Sequence, residues 1–416
     1  MSKQQKQLNI GLFGFGVVGE GLYKVLSQTQ SLNASIKKVC IKHPDKKRSA
    51  PQELFTVYHE ILLSDSSINV IVELIDDADA AFDITKKALK AGKAVVSANK
   101  KMIAEHLPEL LQLQQEYKTP LLYEAACCAS IPVIRNLEEY YDNDLLQSIS
   151  GIVNGSTNYI LTKVFENKVS FHDALLEAQY EGFAESNPAL DVEGIDAVNK
   201  LSIILAHAYG IVAAPSQLTY SGIQNLDPQD AVYAGEKGYE IKLVAQAKKL
   251  PGNKVAAFVL PQFVKKDSLL HRVKNEYNGV VIESGLAEEQ FFYGKGAGSF
   301  PTVSAVLSDI SALRYDYKYE YKKLYRDNTP TLSNEFYLRV YASFDGLFNV
   351  PHDRFERIEE WSSNEKRCCV TGIVSSRQLA DTYWWKQKGV SLILLPDAFV
   401  DKLPEPKKVR EEVLFV

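Results

Sequence analysis

The apolar positions along this chain change period twice. Leu8–Phe13 is a short apolar run, followed by Gly14-Phe15-Gly16-Val17-Val18-Gly19 and then by helical spacing over residues 20–27. Strand, glycine turn and helix stand in the order of a dinucleotide-binding βα unit. A second strand is predicted over residues 36–41. Residues 70–75 form a near-continuous β-branched run, the pattern of a strand covered on both faces of a parallel sheet. A helix over 83–91 stopped by Gly92, a strand over 94–97, a helix over 107–117 and a strand over 121–124 continue the alternation. The first 131 residues therefore predict a doubly wound, Rossmann-like parallel α/β sheet.

The rhythm changes after Pro132. Strands are predicted at 149–153, 254–260, 279–283 and 290–293, with helices at 158–166, 171–179 and 197–209. That mixture predicts an α+β second domain over 132–294. Residues 327–334 are polar, contain a proline and predict a linker. Beyond them a unit spanning 331–416 predicts strand 337–343, helix 355–361, strand 368–375, helix 378–388 and strand 392–395. No solenoid repeat or low-complexity tract is present.

Composition narrows the class. With 416 residues, 46% hydrophobic and 24% charged, the chain has globular usage and the length of two or three domains. A net charge of -5 carries no footprint for nucleic acid or anionic lipid. No apolar run reaches the ~20 residues of a spanning helix. The polar start and glycine-interrupted apolar run do not form a secretory signal. The five cysteines (Cys40, Cys127, Cys128, Cys368 and Cys369) are odd in number and include two adjacent pairs, which suits reduced thiols in a cytoplasm.

Three segments carry chemistry. In the glycine turn, Gly14 permits a tight turn, Gly16 lets backbone approach a pyrophosphate, and Gly19 allows close helix packing. After the second strand, where an acid would favour NAD, the chain reads Cys40-Ile41-Lys42-His43-Pro44-Asp45-Lys46-Lys47-Arg48. Its four cations lean toward the 2′-phosphate of NADP, against a bland reading as a solvated basic loop. Cys127 and Cys128 offer a thiol nucleophile for an aldehyde, against the commoner role of buried hydrophobe. Finally, residues 181–200 place Glu185, Asp191 and Asp196 before Lys200, with Pro188 and Gly194 forcing turns. Converging carboxylates suit a substrate ammonium, and a lysine there can exchange a proton. Asp196 and Lys200 are i,i+4, which from spacing alone an exposed helix salt bridge explains better.

Taken together, the motifs resemble the homoserine dehydrogenases over residues 8 to about 320. The resemblance rests on Gly14-x-Gly16-x-x-Gly19, Ser97-Ala98-Asn99-Lys100, Tyr123-Glu124-Ala125-Ala126 with Ile131-Pro132, and the run from Gly151 through Asn154-Gly155-Ser156-Thr157-Asn158 to Leu161. It continues through the acidic stretch to Lys200-Leu201, Gly238-Tyr239-Glu240-Ile241-Lys242-Leu243, and Gly294-Lys295-Gly296-Ala297-Gly298 with Pro301-Thr302.

That resemblance implies NAD(P)-dependent interconversion of L-homoserine and L-aspartate 4-semialdehyde, within threonine, methionine and isoleucine biosynthesis. It implies Lys200 as proton donor and acceptor, Lys100 between cofactor and substrate, and Glu185, Asp191 and Asp196 around the substrate. Cofactor contacts are implied at Gly14, Phe15, Gly16, Val17, Val18, Gly19, Lys42, Ser97, Lys100 and Gly298, with NADP favoured and NAD as the alternative. A monovalent cation such as sodium is implied on the backbone carbonyls of Glu124, Cys127, Ala129 and Ile131. The segment 295–326 is implied to return to the nucleotide domain, and the C-terminal unit to be ACT-like, in a homodimer or higher homo-oligomer. The chain departs from the family at Cys127-Cys128-Ala129-Ser130 (a glycine-rich turn), at Phe183 (tyrosine), at Ser156 (threonine) and at Asp76-Asp77 (a glycine pair). A thiol-dependent semialdehyde dehydrogenase and a non-catalytic nucleotide sensor are the rival readings.

Overall fold

The computed structural model describes residues 6–184, 186–346, 351–363 and 367–400. Its N-terminal part is a parallel sheet of β1 (Leu8–Phe13), β2 (Ala34–Cys40), β3 (Phe55–Thr56), β4 (Val70–Glu73), β5 (Ala94–Ser97) and β6 (Leu121–Leu122), in the order β3-β2-β1-β4-β5-β6. All residues of β4 and β5 are buried, as the near-continuous apolar run predicts for a strand with helices on both faces. The order reverses between β1 and β4, which opens a crevice at their carboxyl ends. The helix Val17–Gln28 begins there, and the helix Ser299–Leu313 returns from far along the chain to pack on it, with Ser299 Oγ donating to Val17 O at 2.8 Å.

One charged residue lies inside this sheet. Glu73, at the end of β4, is fully buried and accepts from Ile75 N at 2.7 Å and Ser97 Oγ at 2.5 Å. Ser97 Oγ in turn accepts from Asn99 N, and Asn99 Oδ1 caps the helix Lys100–Tyr117 by accepting from Met102 N. The carboxyl thus ties the ends of β4 and β5 to the start of the helix that presents Lys100. Burial pushes it up to about 7, against the hydrogen bonds from Ser97 and Ile75.

Eleven strands among the described residues form a second sheet. Its main path runs β12 (Glu288–Lys295), β11 (Tyr277–Ser284), β7 (Leu146–Ile152), β9 (Tyr239–Leu250), β10 (Lys254–Lys265), β17 (Val390–Val400), β14 (Tyr337–Asp345), β16 (Arg367–Ser375) and β15 (Arg357–Ser363). β8 (Thr219–Tyr220) and β13 (Thr331–Leu332) pair with β10 off this path. The helix Ile195–Tyr209 lies against β9 and β10 and is buried along almost its whole length. The C-terminal unit joins the same sheet through the pairing of β17 with β10.

Three expected elements differ. Residues 355–361, expected as helix, lie largely in strand β15, because their backbone pairs with β16. The helix expected at 378–388 is a short helix Ser376–Ala380 followed by a 3-10 turn Thr382–Trp384. The indole N–H groups of Trp384 and Trp385 donate to Gln378 O and Leu379 O, which a continuing helix would have used itself. The linker 327–334 contains β13, which pairs in parallel with β10.

The segment after β8 packs hard against the acidic stretch. Ile223 N donates to Val192 O at 2.7 Å, and a Cβ on Gly222 would lie 1.8 Å from that same carbonyl. Gly222→Ala is therefore expected to destabilise the protein by roughly 1–3 kcal/mol and to lower kcat/KM by displacing residues 192–194; an unchanged Tm in thermal unfolding refutes it. Glu73 gives a pH prediction. Its folded-state pKa is raised, so its contribution is complete below the unfolded value near 4.5 and is lost as pH rises toward 7. Glu73→Gln should match wild-type stability at pH ~4 and exceed it by on the order of 3 kcal/mol at pH ~8 in urea denaturation.

Candidate active site

The glycine turn is built for close approach on one side and close packing on the other. Gly14 has φ +92°, and a Cβ there would lie 2.5 Å from Leu74 O. A Cβ on Gly19 would lie 2.4 Å from Gly14 O, whereas one on Gly16 would meet nothing within 4 Å. Open space therefore lies over Gly16, at the N-terminal amides of the helix Val17–Gln28, where a pyrophosphate fits. Val18 lines the cleft, Val17 is exposed, and the Phe15 ring packs on Tyr23 and Phe55.

Facing this turn across the cleft is a cluster of charges. The helix Ile195–Tyr209 starts after Gly194, so Asp196 falls in its first turn and Lys200 one turn later. Lys200 Nζ donates to Asp196 Oδ2 and to Val153 O, each at 2.7 Å. Lys100 Nζ, from the first residue of its helix, lies 2.8 Å from Asp196 Oδ1. One buried carboxylate thus bridges two ammonium groups, one from each half of the molecule. Burial would raise the Asp196 pKa, but Lys100 and Lys200 together hold it well below the usual carboxylate range. The side chains of Lys200 and Asp196 are 8% and 5% exposed and that of Lys100 is 45%, so only Lys100 stands substantially in water.

The strand-to-helix turn after β7 holds this cluster. Val153 O also accepts from the buried Asn278 Nδ2 at 3.0 Å, which fixes the carbonyl that Lys200 uses. Asn154 caps the helix Gly155–Glu166 through Oδ1, and its Nδ2 donates to Asp191 Oδ1 at 2.7 Å and Asp196 Oδ2 at 2.8 Å. Ser156 Oγ donates to Phe183 O at 2.6 Å, and the Phe183 ring packs on Tyr159. Lys100, Asn154, Ser156, Phe183, Asp191, Asp196 and Lys200 border a cleft of about 370 Å³ that also reaches Val18 of the glycine turn.

The remaining expected site residues fall as follows. Ser97 is fully buried and serves Glu73, not the cleft. Lys42 is exposed on the loop after β2, and Gly298 precedes the helix Ser299–Leu313 with φ +110°. Glu185 lies outside the described residues. Glu124 is buried; its carboxylate accepts from Ile134 N and Arg135 N, and burial pushes it up to about 8. The Glu124 and Ile131 carbonyls accept Cys127 N and Val133 N, and each carbonyl oxygen keeps a second lone pair. Cys128 and Ala129 both have positive φ, 54° and 41°, where glycine would be unstrained. The Cys127 thiol is fully buried, and burial raises its pKa well above the ordinary value; Cys128 is pushed up to about 11. Neither supplies a thiolate near neutral pH, which removes the basis for thiol catalysis.

Asn278 and Glu73 carry no chemical signal in the sequence and Asn154 enters it only as part of a motif run, because an amide or acid becomes a strut only when the fold supplies its partners. The same holds for the buried chain Glu138–His207–Tyr123–Tyr321 behind the lysine helix, with His207 Nδ1 2.6 Å from Glu138 Oε1 and Tyr123 OH 2.8 Å from His207 Nε2. Among the described residues, no helix is long and apolar enough to cross a membrane.

Comparison with known proteins agrees with this architecture. Residues 14–124 match the family model for the homoserine dehydrogenase NAD-binding domain, and residues 132–311 match that for homoserine dehydrogenase. The chain is 39% identical over 313 residues to homoserine dehydrogenase of Helicobacter pylori, covering 74% of this chain and 73% of that one. It is 34% identical to the Bacillus subtilis enzyme over 317 residues, with the same shares covered. The crystal structure of a homoserine dehydrogenase from Thiobacillus denitrificans superposes with TM-score 0.82 at 27% identity, covering 94% of this chain and 99% of that one. A hyperthermophilic archaeal homoserine dehydrogenase mutant in complex with NADPH gives TM-score 0.63 at 25% identity, covering 76% and 100%. A nucleotide-binding parallel sheet, a lysine-bridged acid in the facing cleft and these matches lead to one conclusion: the chain belongs to the homoserine dehydrogenase family of oxidoreductases.

Proposed function

We propose that Lys200 is the proton donor and acceptor in the interconversion of L-homoserine and L-aspartate 4-semialdehyde. The bound dinucleotide supplies or takes the hydride. Two of the three Lys200 N–H groups are committed to Asp196 and Val153 O, leaving one for the substrate oxygen. As ammonium, Lys200 protonates the developing alkoxide; as amine, it takes the hydroxyl proton. Asp196, held ionised by both lysines, anchors them and is not the acid. By motif position Lys100 would stand between substrate and a bound nicotinamide, and Asp191 with Glu185 would take the substrate ammonium; for Glu185 the assignment rests on motif position alone. The bridged Asp196 carboxylate is the observation that carries this reading.

The wider assignments follow the same reading. Residues 1–131 with 295–326 bind the cofactor through Gly14, Phe15, Gly16, Val17, Val18, Gly19 and Gly298, while Ser97 supports the wall through Glu73. Residues 132–294 bind substrate and pair subunits in a cytoplasmic homodimer or higher homo-oligomer, and the described residues from 331 onward form an ACT-like unit. NADP is the preferred cofactor, with NAD as the alternative. The support is the loop after β2, where Arg48 donates to His43 O and Lys46 O and stacks on Phe55, while Lys42 and Lys46 are exposed. The NADPH-bound archaeal relative agrees. A sodium-class cation is assigned to the carbonyls of Glu124, Cys127, Ala129 and Ile131, supported by the turn through Cys128 and Ala129.

Two measurements test these assignments. Lys200→Ala should fold normally and lower kcat about 10²–10⁴-fold, as loss of a positioned general acid does; turnover near that of wild type, followed by nicotinamide absorbance with homoserine, would falsify the role. Lys42→Glu should lower kcat/KM for NADP at least about tenfold more than for NAD, since a 2′-phosphate contact is worth roughly 1–3 kcal/mol. Equal losses with both cofactors refute the preference.

A further inference from the structure

The side chain of Asn154 has two separate tasks, and only one of them is structural. Its Oδ1 accepts from Thr157 N at 2.8 Å and so caps the helix Gly155–Glu166. That bond fixes the amide's orientation, because the opposite rotamer would set the oxygen against two carboxylates. Nδ2 then gives one hydrogen to Asp191 Oδ1 at 2.7 Å and the other to Asp196 Oδ2 at 2.8 Å. One buried nitrogen therefore holds two acids side by side that would otherwise repel.

The two acids differ in every other respect. Asp196 is buried and its charge is met by both lysines. Asp191 is half-buried on the cleft wall and enters no ion pair among the described residues. Asn154 holds one of its oxygens, Oδ1, at the cleft wall, and no cation among the described residues meets its charge.

We propose that Asn154 is a positioning residue that holds Asp191 as the acceptor of the substrate's α-ammonium, and so makes the site selective for an amino-acid alcohol over the same alcohol without its amine. This rests on the substrate reading above and deepens it. Without the strut, Asp191 is free to swing toward water or toward the lysines that Asp196 serves, and the ammonium loses a preset partner. The hydride and proton steps are left in place, since Lys200 keeps Asp196 and Val153 O.

Serine separates the two tasks. It caps helices as well as asparagine but is too short to reach both carboxylates. Asn154→Ser should keep a higher Tm than Asn154→Ala, raise KM for L-homoserine at least about tenfold, and change kcat less than about threefold. Inhibition by 4-hydroxybutanoate, which is homoserine without its amine, should be unaffected. Asn154→Ala should lose stability as well, and serine should restore stability but not KM. Because half-buried Asp191 tolerates replacement, the cycle with Asp191→Asn provides a second reading: the double variant should lose little beyond either single one. Equal weakening of homoserine and 4-hydroxybutanoate, a loss confined to kcat, or additive losses in the cycle would each overturn the proposal. Failure of the wild-type protein to oxidise homoserine would instead sink the substrate reading itself.

Discussion

A buried carboxylate between two ammonium groups organises this molecule. Removing an acid from water is costly unless its charge is met and its lone pairs are occupied. Asp196 meets that demand with Lys200 from its own helix, Lys100 from the nucleotide sheet and the Asn154 amide. Because the two lysines come from opposite halves of the chain, the arrangement exists only when the parallel sheet and the second sheet face each other. The cleft is the gap that this contact leaves between them.

The supports behind the charges are neutral or fully satisfied, which lets the charged groups be few. Asn278 and Lys200 share the Val153 carbonyl, so the lysine's direction is set by a backbone atom that is itself held. On the opposite wall, Glu73, Ser97 and Asn99 form an unbroken chain of hydrogen bonds ending at the helix that starts with Lys100. Neither chain contains a group exposed to water, so the geometry of the site is fixed by the interior.

How much of this the sequence disclosed depends on the range of the interaction. Local period revealed β1, β4, β5 and the glycine turn, since a strand buried on both faces and a tight βα turn leave continuous apolar runs and fixed glycines. Spacing put Asp196 and Lys200 on one helical face but favoured an exposed pair; burial by the second sheet reversed that. The apolar spacing of Phe355, Ile358 and Trp361 imitates a helix, yet pairing with β16 draws Ile358 and Trp361 into a strand, a contact no local window contains. Likewise Trp384 and Trp385 end a helix by taking its carbonyls through their indoles, which composition alone does not announce. Ser97 was legible as part of a motif, but not its partner Glu73, twenty-four positions earlier.

The same electrostatics narrow the choice of proton carrier. Asp196 stays ionised throughout the neutral range, because two cations oppose protonation. Cys127 and Cys128 stay protonated there, because burial opposes the thiolate. Ser156, a hydroxyl on the wall, is committed to Phe183 O. Among these groups that leaves the lysines, and exposure divides them. Water competes with substrate for the proton of Lys100, which stands nearly half in solvent, whereas Lys200 is enclosed and has two of its three donors already spent on fixed acceptors. An ammonium with one remaining donor and a fixed axis delivers its proton in one direction, which is the property a general acid beside a hydride acceptor requires.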